Sequence, residues 1–293
     1  MLPFVLLTPA AMVAVPDPSA PVTALVERSE AARRAGRVDE AIRVLDGAVR
    51  RDSPNDRLRV RLQRARCVYY RSSLAGTPHD PVIEELKAIA AEAPMVGGER
   101  LLADAKDQLG LAIYARDFRA TDQAEARALF EQGLSLRRAA GDRRGLAESL
   151  FHVALTWENK KEPTPDEKAR SRALHQESLG IAEAGAFDTE AAYAVRHLAG
   201  HKQDAGDLDG ALAGFERSLA LREKAGYTIY LAPSLLAVGE VWKDKGDAAK
   251  ARVYFERARA EADRIRADRF RKMADEALQS LDAPAPTRSP GRP

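Results

Sequence analysis

Between Ala232 and Ala262 small and apolar residues recur with a helical period twice in succession. Leu235, Val238, Gly239 and Trp242 make one stripe, and Ala251, Phe255, Ala258 and Ala262 make a second. Each stripe predicts one amphipathic helix, with polar residues on the opposite face. Gly246, between them, suits the left-handed position that ends a helix, and Asp247 suits the cap that opens the next. The segment therefore predicts an antiparallel helical hairpin. Its small residues Gly239, Ala251 and Ala258 fall where two backbones approach, and Trp242 and Phe255 act as wedges.

A single hairpin leaves one apolar face open, so the pattern should recur along the chain. Counterparts of Ala251 are Ala41, Val82, Ala126, Ser171 and Ala211, at successive spacings of 41, 44, 45, 40 and 40. Four residues past these anchors stand Leu45, Leu86, Phe130, His175, Phe215 and Phe255, and seven past stand Ala48, Ile89, Gly133, Ser178, Ser218 and Ala258. Such a period marks a solenoid. The small residue of each first helix, the aromatic three later, and the alanine, aromatic and small residue of each second helix resemble the tetratricopeptide repeat. The period of about 40 is similar to the longer variety found in kinesin light chains and bacterial regulatory proteins, against ~34 for the common form. Over roughly residues 22–282 the resemblance implies an all-α fold. Its form is a right-handed superhelical solenoid of about six antiparallel helix hairpins plus a C-terminal capping helix.

The expected hairpins begin near Pro21, Asn55, Gly97, Asp142, Ala186 and Tyr227. The second has a long connection, Ser72 to Pro81, and a charged insertion, Glu158 to Lys168, is expected to project from the turn of the fourth. After the sixth, a helix from Arg266 to Leu281 carries Phe270, Met273, Ala277 and Leu278, half a repeat that would cover the exposed end. Residues 283–293 form a proline-rich tail expected to be disordered. Residues 1–15 carry no charged side chain, and residues 1–20 are expected to be either a cleaved signal peptide, making the protein exported or periplasmic, or a disordered leader on a cytoplasmic chain. The apolar run is shorter than the ~20 residues of a bilayer span, so no transmembrane span is expected.

Composition narrows the chemistry. Charged residues make up 31% of the chain and aromatics 6%, fitting a solvated helical array, and the net charge of +2 with interleaved acids gives no reason to expect nucleic acid. The lone Cys67 excludes an internal disulfide or a cysteine-based zinc site. No glycine-rich phosphate loop, Gly-x-Ser-x-Gly elbow or His-Glu-x-x-His is found, so no catalytic residue and no cofactor is expected. His197 and His201 stand four apart on one helix, a spacing that suits zinc, but without an obvious third ligand they are assigned to the groove and to helix packing. His175 falls at a wedge position and is read as structural.

What remains is a binding surface. The resemblance implies that the first helix of each repeat lines the concave side. Counted from the small residue of each first helix, the outward positions are Asp107, Gln108, Leu111 and Tyr114; Phe151, His152, Leu155 and Glu158; Arg196, His197, Gly200 and Gln203; and Leu236, Glu240 and Lys243. The expected function is a non-enzymatic, monomeric scaffold that holds a peptide or protein segment in this groove. The alternative is a sensory or regulatory module that controls an effector on a separate polypeptide.

Overall fold

The computed structural model describes residues 20–48, 53–96, 98–118 and 120–282. The leader and tail expected at residues 1–20 and 283–293 therefore lie, apart from Ala20, outside the described residues. Among the described residues there are thirteen α-helices, one 3₁₀ turn and no strand, in a tetratricopeptide-type helical repeat fold. Six hairpins follow one another: α1 (Val22–Arg34) with α2 (Val38–Asp46), α3 (Pro54–Ala75) with α4 (Asp80–Val96), α5 (Gly98–Arg116) with α6 (Ala124–Ala139), α7 (Arg143–Glu158) with α8 (Pro165–Ala184), α9 (Asp188–Asp204) with α10 (Leu208–Lys224), and α11 (Leu231–Asp244) with α12 (Ala248–Arg264). The final helix is α13 (Asp268–Asp282). No described helix is long and apolar enough to cross a membrane.

The local rules of the hairpin are visible in the last repeat. Gly246 takes φ +81°, and Asp247 accepts the backbone N–H of Lys250 at 3.0 Å. Phe255 is fully buried and lies against Gly239, where an added Cβ would come within 2.4 Å of the ring. The same position that glycine fills after α1, α6, α9, α10 and α11 is held by Ala186 after α8 and by Arg266 after α12, at φ 53° and 55°. Both side chains sit in a region that L-residues enter only at a cost.

Two loops differ from expectation. The connection in the second hairpin shrinks to residues 76–79, because Pro81 enters the first turn of α4, where a missing N–H costs nothing. The insertion of the fourth hairpin does not project as a whole. Glu158 is the last residue of α7, and Thr164 and Glu167 form a reciprocal cap that starts α8 at Pro165. The rest of the loop is tied to the preceding repeat by the Lys161 N–H on the Ala120 carbonyl at 3.1 Å.

The largest departure is global. An open curved trough is expected, but the two ends of the array meet. Helix α13 packs on α3, and α1 packs on the 3₁₀ turn Thr228–Tyr230 that precedes α11. At this seam Arg34 donates to the Ala225 carbonyl at 3.3 Å and to Thr189 Oγ1 at 2.7 Å. Thr228 Oγ1 donates to the Arg34 carbonyl at 3.4 Å. The Ile265 side chain lies so close to Gly36, at φ +77°, that a Cβ there would fall 2.5 Å from Ile265 Cγ2. With the two ends in contact, the trough becomes a partly open cavity.

Candidate functional site

Inner helices α1, α3, α5, α7 and α9 converge on this cavity, which has a volume of 510 Å³. Ligand pockets typically enclose ~300–1,000 Å³. Six of the seven tyrosines of the chain line it: Tyr69, Tyr70, Tyr114, Tyr193, Tyr227 and Tyr230. Seven arginines line it against four carboxylates, and no lysine does. Tyrosine and arginine offer flat, amphipathic contact surface together with directed donors, which suits recognition more than core packing.

At one side the tyrosines form a linked hydroxyl cluster. Tyr227 OH is 2.8 Å from Tyr193 OH, 3.4 Å from Tyr70 OH, and accepts from Arg33 at 3.3 Å. Arg33 is also paired with Glu30, whose carboxyl is held down to about 2: burial alone would raise it, but Arg33, with Arg66 and Gln63, outweighs burial. Helix α1 thus contributes both to the seam and to the wall.

Beside this cluster lies a pair of cations with no carboxylate in ion-pair contact. Arg222 is 2% exposed; its guanidinium donates to the Tyr230 carbonyl at 3.1 Å and to Ser234, and lies over the rings of Tyr193 and Tyr230. Its buried Nε has no hydrogen-bond partner among the described residues. Arg196 stands nearby, with no hydrogen bond or ion pair to a described residue, and burial followed by the repulsion of Arg222 holds it down to about 10. Both side chains line the cavity. Arg222 is buried and Arg196 half-buried, and beside them only Glu158, through its charge on Arg196, offsets the two cations that share this wall.

A second charged network fixes the floor. Arg137 of α6 reaches Asp107 and Asp104 at 2.7 Å and Glu148 at 3.2 Å, and Ser149 Oγ donates to Asp107 at 2.7 Å. This locks α5, α6 and α7 together. It leaves Asp107 Oδ1 buried and without a hydrogen-bond partner among the described residues.

Beside the cavity, aromatic and imidazole rings gather around Phe151. It stacks on Tyr193 at 4.9 Å and touches His175 at 5.5 Å and His197 at 5.2 Å. Glu158 lies among three histidines. It accepts from His197 Nδ1, stands 3.2 Å from His175 Nε2, and accepts from Ser171 at 2.8 Å. His201 Nε2 is 3.1 Å away. Burial by itself would raise the Glu158 carboxyl, but His197, His175 and His201 together hold it well below the usual range, while burial holds His197 down to about 4. Third and fourth partners for His197 and His201 were not visible in the sequence, and the structure corrects that: Glu158 comes from the end of α7 and His175 from α8. His175 does fill its wedge position, fully buried.

The fifteen positions assigned to the groove divide by location. Asp107, Gln108, Leu111, Tyr114, Phe151, His152, Leu155, Arg196 and His197 line the cavity, and Glu158 borders it through His197. Gly200 is half-buried but outside the wall, with no atom within 4 Å of an added Cβ. Gln203 bonds Asp244 at 2.6 Å between the tips of α9 and α11. The sixth repeat is a correction. Leu236 is buried in a cluster with Ala274 and Ala277 of α13. Lys243 donates to Ser280 of α13 at 2.9 Å and stands 3.7 Å from Glu240. The capping helix covers the face of α11 that would otherwise continue the groove.

Other lining residues were legible but uncounted. Applying the same offsets to Ser29 and Ala65, the small residues of α1 and α3, reaches Glu30, Arg33, Arg66 and Tyr69. Arg222, Tyr227 and Tyr230 had no such signal, since they come from α10, from the 3₁₀ turn and from the residue just before it.

No protein-family model matches the sequence, and no curated protein sequence matches it either. Solved structures do resemble it. A Rap protein complexed with Competence and Sporulation Factor superposes with a TM-score of 0.63 at 16% identity, covering 89% of this chain and 70% of that one. Aspartyl phosphate phosphatase F from Bacillus subtilis gives 0.56 at 11% identity, covering 93% and 85%. The apo form of the quorum sensor NprR from B. thuringiensis gives 0.51 at 14%, covering 89% and 68%. At these identities the likeness is one of fold, and it places the chain among tetratricopeptide-type helical repeat structures.

Proposed function

We propose that this chain is a peptide-binding regulatory module: it takes a short, acidic or carboxylate-terminated peptide into its central cavity and thereby sets the state of the seam that closes the ring. The observation that carries this reading is the Arg196–Arg222 pair, two guanidiniums with no carboxylate in ion-pair contact on a tyrosine-lined wall of a 510 Å³ cavity. An anion there would supply the missing counter-charge, and arginine presents the fork that matches a carboxylate. The tyrosines would pack against the peptide with little loss of side-chain freedom.

The contact between the two ends of the array favours the regulatory alternative over a passive scaffold. The hydroxyl of Tyr227 belongs both to the cavity wall and to the junction of α1 with the last repeats, so a ligand on that wall competes for the bonds that hold the ring shut. Among the structural neighbours, one is a Rap protein in complex with Competence and Sporulation Factor and another is a quorum sensor. That company supports a ligand-responsive role, exerted on a partner protein.

The test is selection from a random peptide library followed by calorimetry. Acidic or free-carboxylate peptides should be enriched, and Arg196→Gln should weaken their binding at least tenfold while leaving the far-UV spectrum unchanged. Joint replacement of Tyr114, Phe151 and Arg196 by alanine should abolish it. Small-angle scattering should show a change in dimensions with the selected peptide. Peptides that bind the Arg196→Gln protein as tightly as the parent, or a library that yields none, would overturn the proposal.

A further inference from the structure

Glu158, His175 and His201 come from three helices, α7, α8 and α9, and bring one carboxylate oxygen and two imidazole nitrogens within 4.8 Å of one another. Glu158 Oε2 is 3.2 Å from His175 Nε2 and 3.1 Å from His201 Nε2. The three side chains are 12%, 0% and 13% exposed. Nothing about the proposed peptide site requires this arrangement.

Hydrogen bonding accounts for part of it. Glu158 accepts from His197 through Oε1 and from Ser171 and His175 through Oε2. It does not account for His201. Its Nε2 is buried and, although 3.1 Å from Oε2, is too poorly aligned to form a hydrogen bond with it or with any other described group. Two ligand atoms at that separation, and not aligned on each other, are placed as neighbours on a shared ion would be. In a tetrahedral zinc site with bonds of ~2.0–2.1 Å, adjacent ligand atoms lie somewhat more than 3 Å apart.

We infer that Glu158, His175 and His201 form a binding site for a divalent transition-metal ion of the zinc type. The donor set is two imidazoles and a carboxylate, which suits zinc, and three protein ligands leave a fourth position open. His197 supports the site from outside: its Nδ1–H holds Glu158 Oε1, so that Oε2 is oriented toward the ion. The ion would tie the fourth hairpin to the fifth through three helices. Because His197 also lines the central cavity, the site borders the ligand wall without being part of it.

The test uses the purified chain, stripped with chelator, and zinc chloride alone, with no peptide present. Calorimetry should show one zinc ion per chain, and metal analysis after dialysis should retain it. Cobalt loading should give the visible absorption of a four-coordinate site. His201→Ala and Glu158→Gln should weaken zinc binding more than 100-fold. His197→Gln should weaken it 10- to 100-fold, the range for a lost outer-sphere hydrogen bond. His79→Ala, the histidine farthest in sequence from the cluster, should leave it unchanged. His201 is 13% exposed at the cluster's edge, so its alanine variant should keep the parent's far-UV spectrum. Absence of stoichiometric zinc in the parent, or equal zinc affinity in the His201→Ala and His79→Ala proteins, overturns the inference. Neither result would touch the peptide proposal, whose readout depends on Arg196.

Discussion

Gly239 and Gly200 offer a matched pair for testing the hairpin packing. Both lie within inner helices, α11 and α9, where Gly→Ala normally stabilises by ~0.8–1 kcal/mol through helix propensity. At Gly200 an added Cβ meets nothing within 4 Å, so the full gain should appear. At Gly239 the same Cβ would lie 2.4 Å from Phe255 Cε1 and 2.6 Å from Cδ1, well inside van der Waals contact. Phe255 is fully buried in a cluster with Ala251, Ala258 and Leu235. Overpacking of this kind costs ~1–3 kcal/mol, and the severity of the overlap puts it in the upper half of that range. Set against the propensity gain, Gly239→Ala should destabilise by about 1–2 kcal/mol, so the two variants should differ by about 2–3 kcal/mol. Urea unfolding followed by far-UV circular dichroism, with the m-value unchanged, measures this directly. A Gly239→Ala protein at least as stable as the parent would refute the wedge of Phe255 on Gly239. Adding Phe255→Leu to Gly239→Ala should recover part of the overpacking loss, since the smaller side chain relieves the overlap.

Three further outcomes are expected. Tyr227→Phe removes the hydroxyl shared by Tyr193, Tyr70 and Arg33, and should cost about 1–2 kcal/mol and speed hydrogen exchange in α1; unchanged exchange there would separate Tyr227 from the seam. Glu30 has its carboxyl held at about 2 rather than the ordinary 4.5, so its contribution is complete above about 4.5 and is lost as pH falls toward 2. Its 29% exposure reduces the effect to about 2 kcal/mol; Glu30→Gln should flatten that acid limb of stability, and an acid limb identical to the parent's would contradict the pairing with Arg33. Ala186→Gly should raise stability by about 0.5–1 kcal/mol by relieving the left-handed backbone at φ 53°, seen as a higher Tm; a lower Tm would mean that the alanine methyl contributes packing worth more than the strain.

The site was half legible before any tertiary structure was known. Offsets from the small residues of α5, α7 and α9 reached nine wall residues, because the face a helical side chain takes depends on positions only a few residues apart. The same offsets failed in α11, where Leu236 and Lys243 are taken up by α13, since no rule within one helix tells which of its faces a later helix will cover.

Periodicity and turn residues are local properties, and they determined the all-α class, the six hairpins, the terminal half-repeat and the pairing of Phe255 with Gly239. Each is written in stretches of about ten residues, where backbone geometry alone decides which side chains share a face. The curvature of the array is different in kind. It accumulates from small rotations at every hairpin interface, so the meeting of Arg33 with Tyr227, 194 residues apart, is a property of the summed packing. From that one closure follow the partly open cavity and the gathering of tyrosines on its wall. The gathering of Glu158 with His175, His197 and His201 likewise waited on the packing of α7, α8 and α9, which alone could bring those side chains to one point.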